Sequence, residues 1–472
     1  MRAAALATTL LVLAAAGCGG ARPAAAPPGS TLTSTLVDRN GDGVLERGPG
    51  EPLRDRTDLG GGGGAPRATL ATFAQITDAH VRDEESPARV PFLDRLGGVF
   101  HSTFRPQEAL SAQVLDATVR SLDRLHPQAV AVTGDIADNA QANELDLART
   151  ILSGGRARPD SGAPGYDGVQ EAGNPDPFYY RPDVDPPRHP GMLAAAQRPF
   201  EARGLAAPWY PALGNHDILA QGETPPTARI QAFATGDRLV EELDPGVRPR
   251  RSAGSAAAVD ALLAAGAPGR SLGVPPDPAR RLVSPDEAAQ RLGRRLRDGR
   301  LDYTFDIGRS VRAIVLDSVD RRGGDNGLIL PRQVAWLRAE LRRAGGRYVV
   351  VFVHNPLEGC AGGGAALAAL DAAPRVVAVV AGDRHRNAIA PRPEGPYWLI
   401  RTASLADFPQ QARFFRLVRT TRGVALETWM VDHDGRGLAG ISRELAFLDA
   451  QGGRPQGFAG ARSDRNARLH LP

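Results

Sequence analysis

Thr72-Phe73-Ala74-Gln75-Ile76-Thr77-Asp78-Ala79-His80 joins an apolar run to a carboxylate and an imidazole two residues apart. The same arrangement recurs four times along the chain. Ala129 to Thr133 is followed by Gly134-Asp135-Ile136-Ala137-Asp138, and Trp209 to Leu213 by Gly214-Asn215-His216-Asp217. Tyr348 to Val353 runs into His354, and Val376 to Ala381 into Gly382-Asp383-Arg384-His385. Apolar runs this short read as buried strands. Between them, Leu110, Val114, Leu115, Val119, Leu122 and Leu125 recur at helical spacing over 107–125, and Glu144 to Leu152 reads as another helix. Gln333 to Arg343 is a third, opened by Pro331, and Ala313 to Leu316 is a further strand. Such alternation argues for an α/β chain. After Tyr397, the runs Trp398 to Ile400, Phe414 to Val418 and Val424 to Trp429 read as a terminal antiparallel group.

Ligands of open α/β sheets gather at the carboxyl ends of strands. The five groups are therefore expected to converge at one edge of one sheet. Four of the nine histidines, His80, His216, His354 and His385, sit at these strand ends. Any one motif occurs by chance, whereas all five in order, each after an apolar run, form a specific signal. The donors are oxygen and imidazole nitrogen without thiolate, a set that suits Mn, Fe or Zn.

The order D-x-H, GD-x-x-D, GNHD, H, G-x-x-H resembles the calcineurin-like metallophosphoesterases, which include purple acid phosphatases and cyclic-nucleotide phosphodiesterases. The resemblance covers residues 68–445 apart from two insertions, and extends to Asp317-Ser318 and His354-Asn355-Pro356. It implies two mixed β-sheets packed as a sandwich flanked by helices. It also implies two metal ions. Asp78, His80, Asp135 and His385 would hold the first, and Asp135, Asn215, His354 and Asp383 the second, with Asp135 bridging. A hydroxide between the ions would attack phosphorus in line, hydrolysing a phosphomonoester or phosphodiester. His216 would protonate the leaving oxygen, Asp217 would orient His216, and Asp138 is either the partner of a ligand histidine or a plain helix-start carboxylate. The chain departs from the family pattern at Asp383, where an imidazole is usual. That departure leaves a rival expectation, a non-catalytic cell-surface binding protein on a decayed scaffold. Arg384 and Arg386 lie beside the last motif, where they are either phosphate contacts or part of an arginine-rich background.

All 57 cationic side chains are arginine, against 53 acidic ones. With no lysine, Schiff-base chemistry, the Walker phosphate loop and the kinase nucleotide lysine are excluded. A net charge of +4 with no long arginine run gives no nucleic-acid signature. Residues 1–18 read as a secretory signal, one arginine followed by a short apolar stretch. Cys18 after Ala15-Ala16-Gly17 resembles a bacterial lipobox, which implies a lipid anchor at the outer face of a membrane and an extracytoplasmic or secreted protein. The alternative is an ordinary cleaved signal.

Residues 19–67, with five consecutive glycines at 60–64, read as a linker. Within it, Asp38, Asn40 and Asp42 match the first half of a calcium loop, but Pro49 occupies the position of the closing glutamate, so an Asx-rich turn fits as well. Residues 154–190 and 218–300 interrupt the alternation as insertions that are either specificity elements or surface. In the second, Ser284-Pro285-Asp286-Glu287 has the form of a helix start. Residues 446–472 read as a tail.

Overall fold

Apolar residues at alternate strand positions build two sheets that face each other in this computed structural model. It describes residues 29–96, 103–247, 257, 261–262, 264–451 and 458–472. The signal read at 1–18, Cys18 and the first part of the expected linker lie outside the described residues. No described helix is long and apolar enough to cross a membrane.

The first sheet has seven strands. In spatial order they are Arg54–Arg56, Ala467–His470, Gly423–Asp432, Gln411–Thr420, Pro66–Ile76, Val130–Thr133 and Trp209–Ala212. The last three run parallel, while Gln411–Thr420 lies antiparallel to Pro66–Ile76. The second sheet has six, in the order Tyr303–Ile307, Val311–Val315, Tyr348–Phe352, Val376–Ala381, Trp398–Arg401 and Ala388–Pro391, with a parallel centre and antiparallel edges.

The period of two along each strand sorts the core into layers. Ala71, Phe73, Ala129 and Ala131 point from the first sheet onto Val350, Phe352, Val377 and Val380 of the second. Phe73 stacks on Phe415 at 4.7 Å between ring centroids and meets Phe352 edge-on at 5.8 Å. Each buried phenylalanine contributes about 2–3 kcal/mol by removal from water. The intervening residues Ala74, Ile76, Val130 and Val132 turn to the helices Ser111–Asp123 and Ala142–Ser153. Across the second sheet, Ile314, Val349, Val351 and Val379 pack on Pro331–Arg343 and Gly363–Asp371. The result is helix, sheet, sheet, helix, the sandwich implied by the family resemblance.

The expected helix over 107–125 begins as a 3-10 turn at Glu108–Leu110 and becomes α at Ser111. The stretch read as a linker is partly packed. Ser34–Val37 pairs with Glu46–Pro49, and Arg54–Arg56 adds an edge strand to the seven-stranded sheet. Gly61 lies so close to the carboxyl terminus that a Cβ there would stand 2.7 Å from the Leu471 carbonyl oxygen. Glycine here permits close approach, a role its composition alone does not separate from flexibility. The tail likewise contributes Ala467–His470 to the sheet. At Asp38, Asn40 and Asp42 the side chains close an Asx-rich turn. Asp38 accepts from the Gly41 and Gly43 amides at 2.7 and 3.1 Å, and Asp42 from Val44 at 2.9 Å.

The two insertions pack against each other and against Phe104. Phe104, Val169, Tyr179, Leu239 and Val274 form a buried cluster, and the Tyr179 hydroxyl donates to the Glu241 carbonyl at 2.6 Å. Ser284 caps Pro285–Arg291 by accepting from the Glu287 amide at 3.2 Å. The Glu287 carboxylate turns instead to Arg281 and Arg291.

Candidate metal centre

The five strand ends meet at one end of the sandwich, but they come from both sheets. Asp78, His80, Asp135 and Asn215 follow strands of the seven-stranded sheet, whereas His354, Asp383 and His385 follow strands of the six-stranded one. Convergence on one edge of one sheet is thus corrected to convergence across the seam between two. Periodicity shows that a strand is buried, not which sheet it joins. Gln75 ties the sheets beneath the site, donating to the Thr133 hydroxyl at 2.8 Å and to the Ala381 carbonyl at 3.2 Å.

Asp78, His80, Asp135, Asp383 and His385 all have φ between 44° and 66°. This left-handed region costs a side-chain-bearing residue roughly 1–2 kcal/mol. Such strain persists where surrounding structure over-determines it, most often at functional sites. Two motif glycines make room. A Cβ at Gly214 would stand 2.1 Å from Asp135 Oδ1, and one at Gly382 2.0 Å from Thr77 Oγ1.

Among the described residues, ligand atoms of Asp78, His80, Asp135 and His385 all lie within 4.8 Å of one another. His80 Nδ1 donates to Asp138 Oδ1 at 2.9 Å, and His385 Nδ1 donates to Asp407 Oδ2 at 2.5 Å. Both rings therefore present Nε2 inward, 3.1 Å apart. Burial pushes His80 down to about 4 and so keeps it neutral. Burial also acts against a charge on His385, but its hydrogen bonds to Asp407 and Asp78 outweigh this and raise it to about 10. Without a cation the two nitrogens share one proton. A cation between them and the carboxylates takes its place, and the donor set fits one.

A second set adjoins it. His354 Nε2 lies 3.3 Å from Asp135 Oδ2, 2.9 Å from Asn215 Oδ1 and 3.7 Å from Asp383 Oδ1. His354 Nδ1 donates to the Thr133 carbonyl at 2.9 Å, and Asn215 Nδ2 donates to the Gly222 carbonyl at 3.0 Å. Nε2 and Oδ1 thus face each other as two acceptors unless a proton or a metal ion lies between. Burial opposes protonation of His354, yet the Asp135 carboxylate holds it well above the usual imidazole range. Asp383 is the weakest member. Its Oδ1 accepts from Asn355 Nδ2 at 2.8 Å, and its Oδ2 lies 3.0 Å from Arg384 Nε. Burial raises it to about 6.

These protonation states give a prediction. His385, raised to about 10, carries a proton at pH 7 that it would have to give up as a metal ligand, and Asp135 favours one on His354 as well. Loading is expected to release protons, one from His385 at the first set, so the affinity of that ion rises with pH by up to about tenfold per unit near neutrality. Calorimetric titration with Mn²⁺ in two buffers of different ionisation enthalpy measures the number. Zero protons released would contradict the ligand roles of both rings.

Asp138 is the partner of His80 and is itself held by Arg82 Nη2 and Arg89 Nη1, each at 3.1 Å. Asp217 differs from its expected role. It makes no hydrogen bond to His216. Its carboxylate accepts from the backbone amides of Ile136, Ala137 and Gly214 at 2.8, 2.9 and 2.7 Å, clamping two ligand-bearing loops together. His216 is oriented by the backbone: its Nδ1 donates to the Asp138 carbonyl at 2.5 Å, while its amide donates to Asp135 Oδ1 at 2.9 Å. The sequence reading missed Asp407, which orients His385, and Arg105, whose Nε lies 2.5 Å from Asp407 Oδ1. Arg384 is 41% exposed at the cavity rim, whereas Arg386 does not line the cavity.

The centre opens into a cavity of about 320 Å³. His80, Asp135, Asn215, His216, Asp383 and His385 line one end. No protein-family model and no curated protein sequence matches the chain. Solved structures resemble it in outline. One is a dimetal phosphatase from Danio rerio, 16% identical, with 78% of this chain and 100% of that one covered and a TM-score of 0.41. A structure of PhoD is 11% identical over 87% of this chain and 81% of that one, with a TM-score of 0.34. Purple acid phosphatase PPD1 from yellow lupin seeds is 12% identical over 79% and 53%, with a TM-score of 0.33. The likeness is one of fold outline, and the chemistry rests on the site's own geometry.

Proposed function

We propose that the chain is a metal-dependent phosphoester hydrolase. One observation carries this reading: the inward-facing Nε2 atoms of His80 and His385, 3.1 Å apart, with Asp78 and Asp135 in the same cluster and each ring's other nitrogen committed to a carboxylate. Asp78, His80, Asp135 and His385 would hold one ion, and Asp135, Asn215, His354 and Asp383 a second. When bound, the ions would supply an activated water and neutralise charge on the phosphate oxygens. The protein's part is to fix the rings, supply the negative charge of Asp135 between the two sets, and deliver a proton. His216 lines the cavity beside the ligand cluster. Its Nδ1 bond to the Asp138 carbonyl fixes the ring, so that Nε2 is the nitrogen left for the departing oxygen.

His216→Ala is expected to keep the bound metal and lower kcat about 10²-fold. Elemental analysis together with turnover separates this outcome from loss of a ligand, in which the metal content would fall. The function itself is tested by hydrolysis of p-nitrophenyl phosphate and bis-p-nitrophenyl phosphate with Mn, Fe, Zn or Co. No rate above a metal-free blank with any ion would favour the binding-protein reading. That reading draws support from Asp383, whose Oδ1 already accepts from Asn355 and whose Oδ2 stands beside the Arg384 guanidinium. Export, with a lipid on Cys18, is the companion proposal for location, carried by the residue pattern of the amino terminus.

A further inference from the structure

Beyond His216 the cavity lining carries an apolar stretch, interleaved with Gln221, Glu223 and Thr224. Ala88, Val90, Leu93, Ala220, Ile230 and Phe233 form it. The first five are at most 7% exposed, and all six belong to one hydrophobic cluster built from the 83–96 segment and the start of the second insertion. This cluster stands apart from the three that fill the sandwich. Its wall begins beside His216, since Ala220 follows that residue by one turn of chain and Gly222 packs against its ring. A hydrogen-bonding group is set into the same wall. Thr224 is 5% exposed and lines the cavity, and its hydroxyl has no hydrogen-bond partner among the described residues.

A wall of this kind holds the part of a ligand that leaves water readily. From it we infer that the substrate is a phosphoester of an apolar alcohol, with the alkyl or aryl body against Ile230 and Phe233 and the phosphate toward the ligand cluster. The inference rests on the hydrolase reading for its chemistry. Water's oxygen forms the new bond to phosphorus, the bond from phosphorus to the alcohol oxygen breaks, and the proton on His216 goes to that oxygen. The products are phosphate and the free alcohol. Polar sugar or glycerol esters would leave the wall's apolar surface facing hydroxyls and bind less well.

The test compares n-hexyl phosphate with the monophosphate of 2-propoxyethanol, an ether alcohol of equal chain length, using the metal-loaded full chain. The two leaving groups are both primary alcohols, so a difference reports the wall. kcat/KM is expected to be at least about 10-fold higher for the hexyl ester. Phe233→Ser, at the half-buried edge of the wall, should move the ratio toward one, and Ile230→Asn should do so more strongly. Binding of n-hexylphosphonate and of 2-propoxyethylphosphonate by calorimetry accompanies the rates. Turnover of both esters with equal kcat/KM, or a ratio unmoved in both variants, overturns the substrate class and leaves the hydrolase. Preferential hexylphosphonate binding without turnover of any ester overturns the hydrolase and leaves the wall's selectivity. Binding of neither phosphonate overturns both.

Discussion

On the hydrolase reading, Asp135→Asn is expected to strip the centre of its metal and to lower turnover more than about 10³-fold. Asp135 is 3% exposed, and its Oδ2 stands 3.6 Å from His80 Nε2 and 3.3 Å from His354 Nε2, so it alone faces both ligand sets. Burial works against its charge, but the surrounding imidazoles, His354 foremost, hold it ionised far below the ordinary carboxylate range. An amide has nearly the same shape and none of the charge, so two cations placed either side would repel without compensation. Elemental analysis of the purified variant measures the loss. A metal content equal to the unaltered chain's would sink the bridging assignment. Asp138→Asn provides the scale, since it touches His80 from behind and should cost only about 10–100-fold in metal affinity.

Gly214→Ala is expected to be nearly as damaging, by a steric route. The added Cβ would lie 2.1 Å from Asp135 Oδ1 and 2.2 Å from the Asp135 amide nitrogen. Neither atom can withdraw. The carboxylate is fixed by the His216 amide, and the backbone on either side by Asp217. Destabilisation of about 3 kcal/mol is expected, the upper end for overpacking a filled site, together with loss of metal. Gly364→Ala is the control. It lies within the helix Gly363–Asp371 with nothing within 4 Å of its Cβ position, and should stabilise by about 0.5–1 kcal/mol. Urea midpoints for the two variants in parallel decide the matter. Equal midpoints would mean that the loop relaxes around the new methyl group.

The central strands were legible because each is a short apolar run that ends in polar residues. Val376–Ala381, buried at every position, is the plainest. Edge strands were not: Arg54–Arg56 is mostly exposed and entirely charged, and Ala467–His470 alternates arginine and histidine with small apolar residues. Their pairing depends on what lies beside them, which no local pattern carries. The same division holds in the site. The candidate ligands announced themselves by following strands, and the structure brings them together. Asp407 gave no signal, because it meets His385 from 22 residues away in a loop and Arg105 from 302 residues away. Asp217 misled because it follows His216 in sequence, while its acceptors' partners are main-chain amides. A carboxylate that serves backbone looks, in sequence, the same as one that serves a side chain.

The seam between the sheets has one further consequence. Among the described residues the two share a hydrophobic interface but no ladder of main-chain hydrogen bonds, and the seven candidate ligand residues divide four to one side and three to the other. An ion held there would be a crosslink between halves otherwise joined by packing and by side-chain hydrogen bonds such as those of Gln75. Loading and folding then become a single linked equilibrium, and resistance to unfolding follows the concentration of free metal in the surroundings. The centre would act as a clasp as well as a catalyst, so a chain starved of metal would open first at the end of the sandwich where its chemistry takes place.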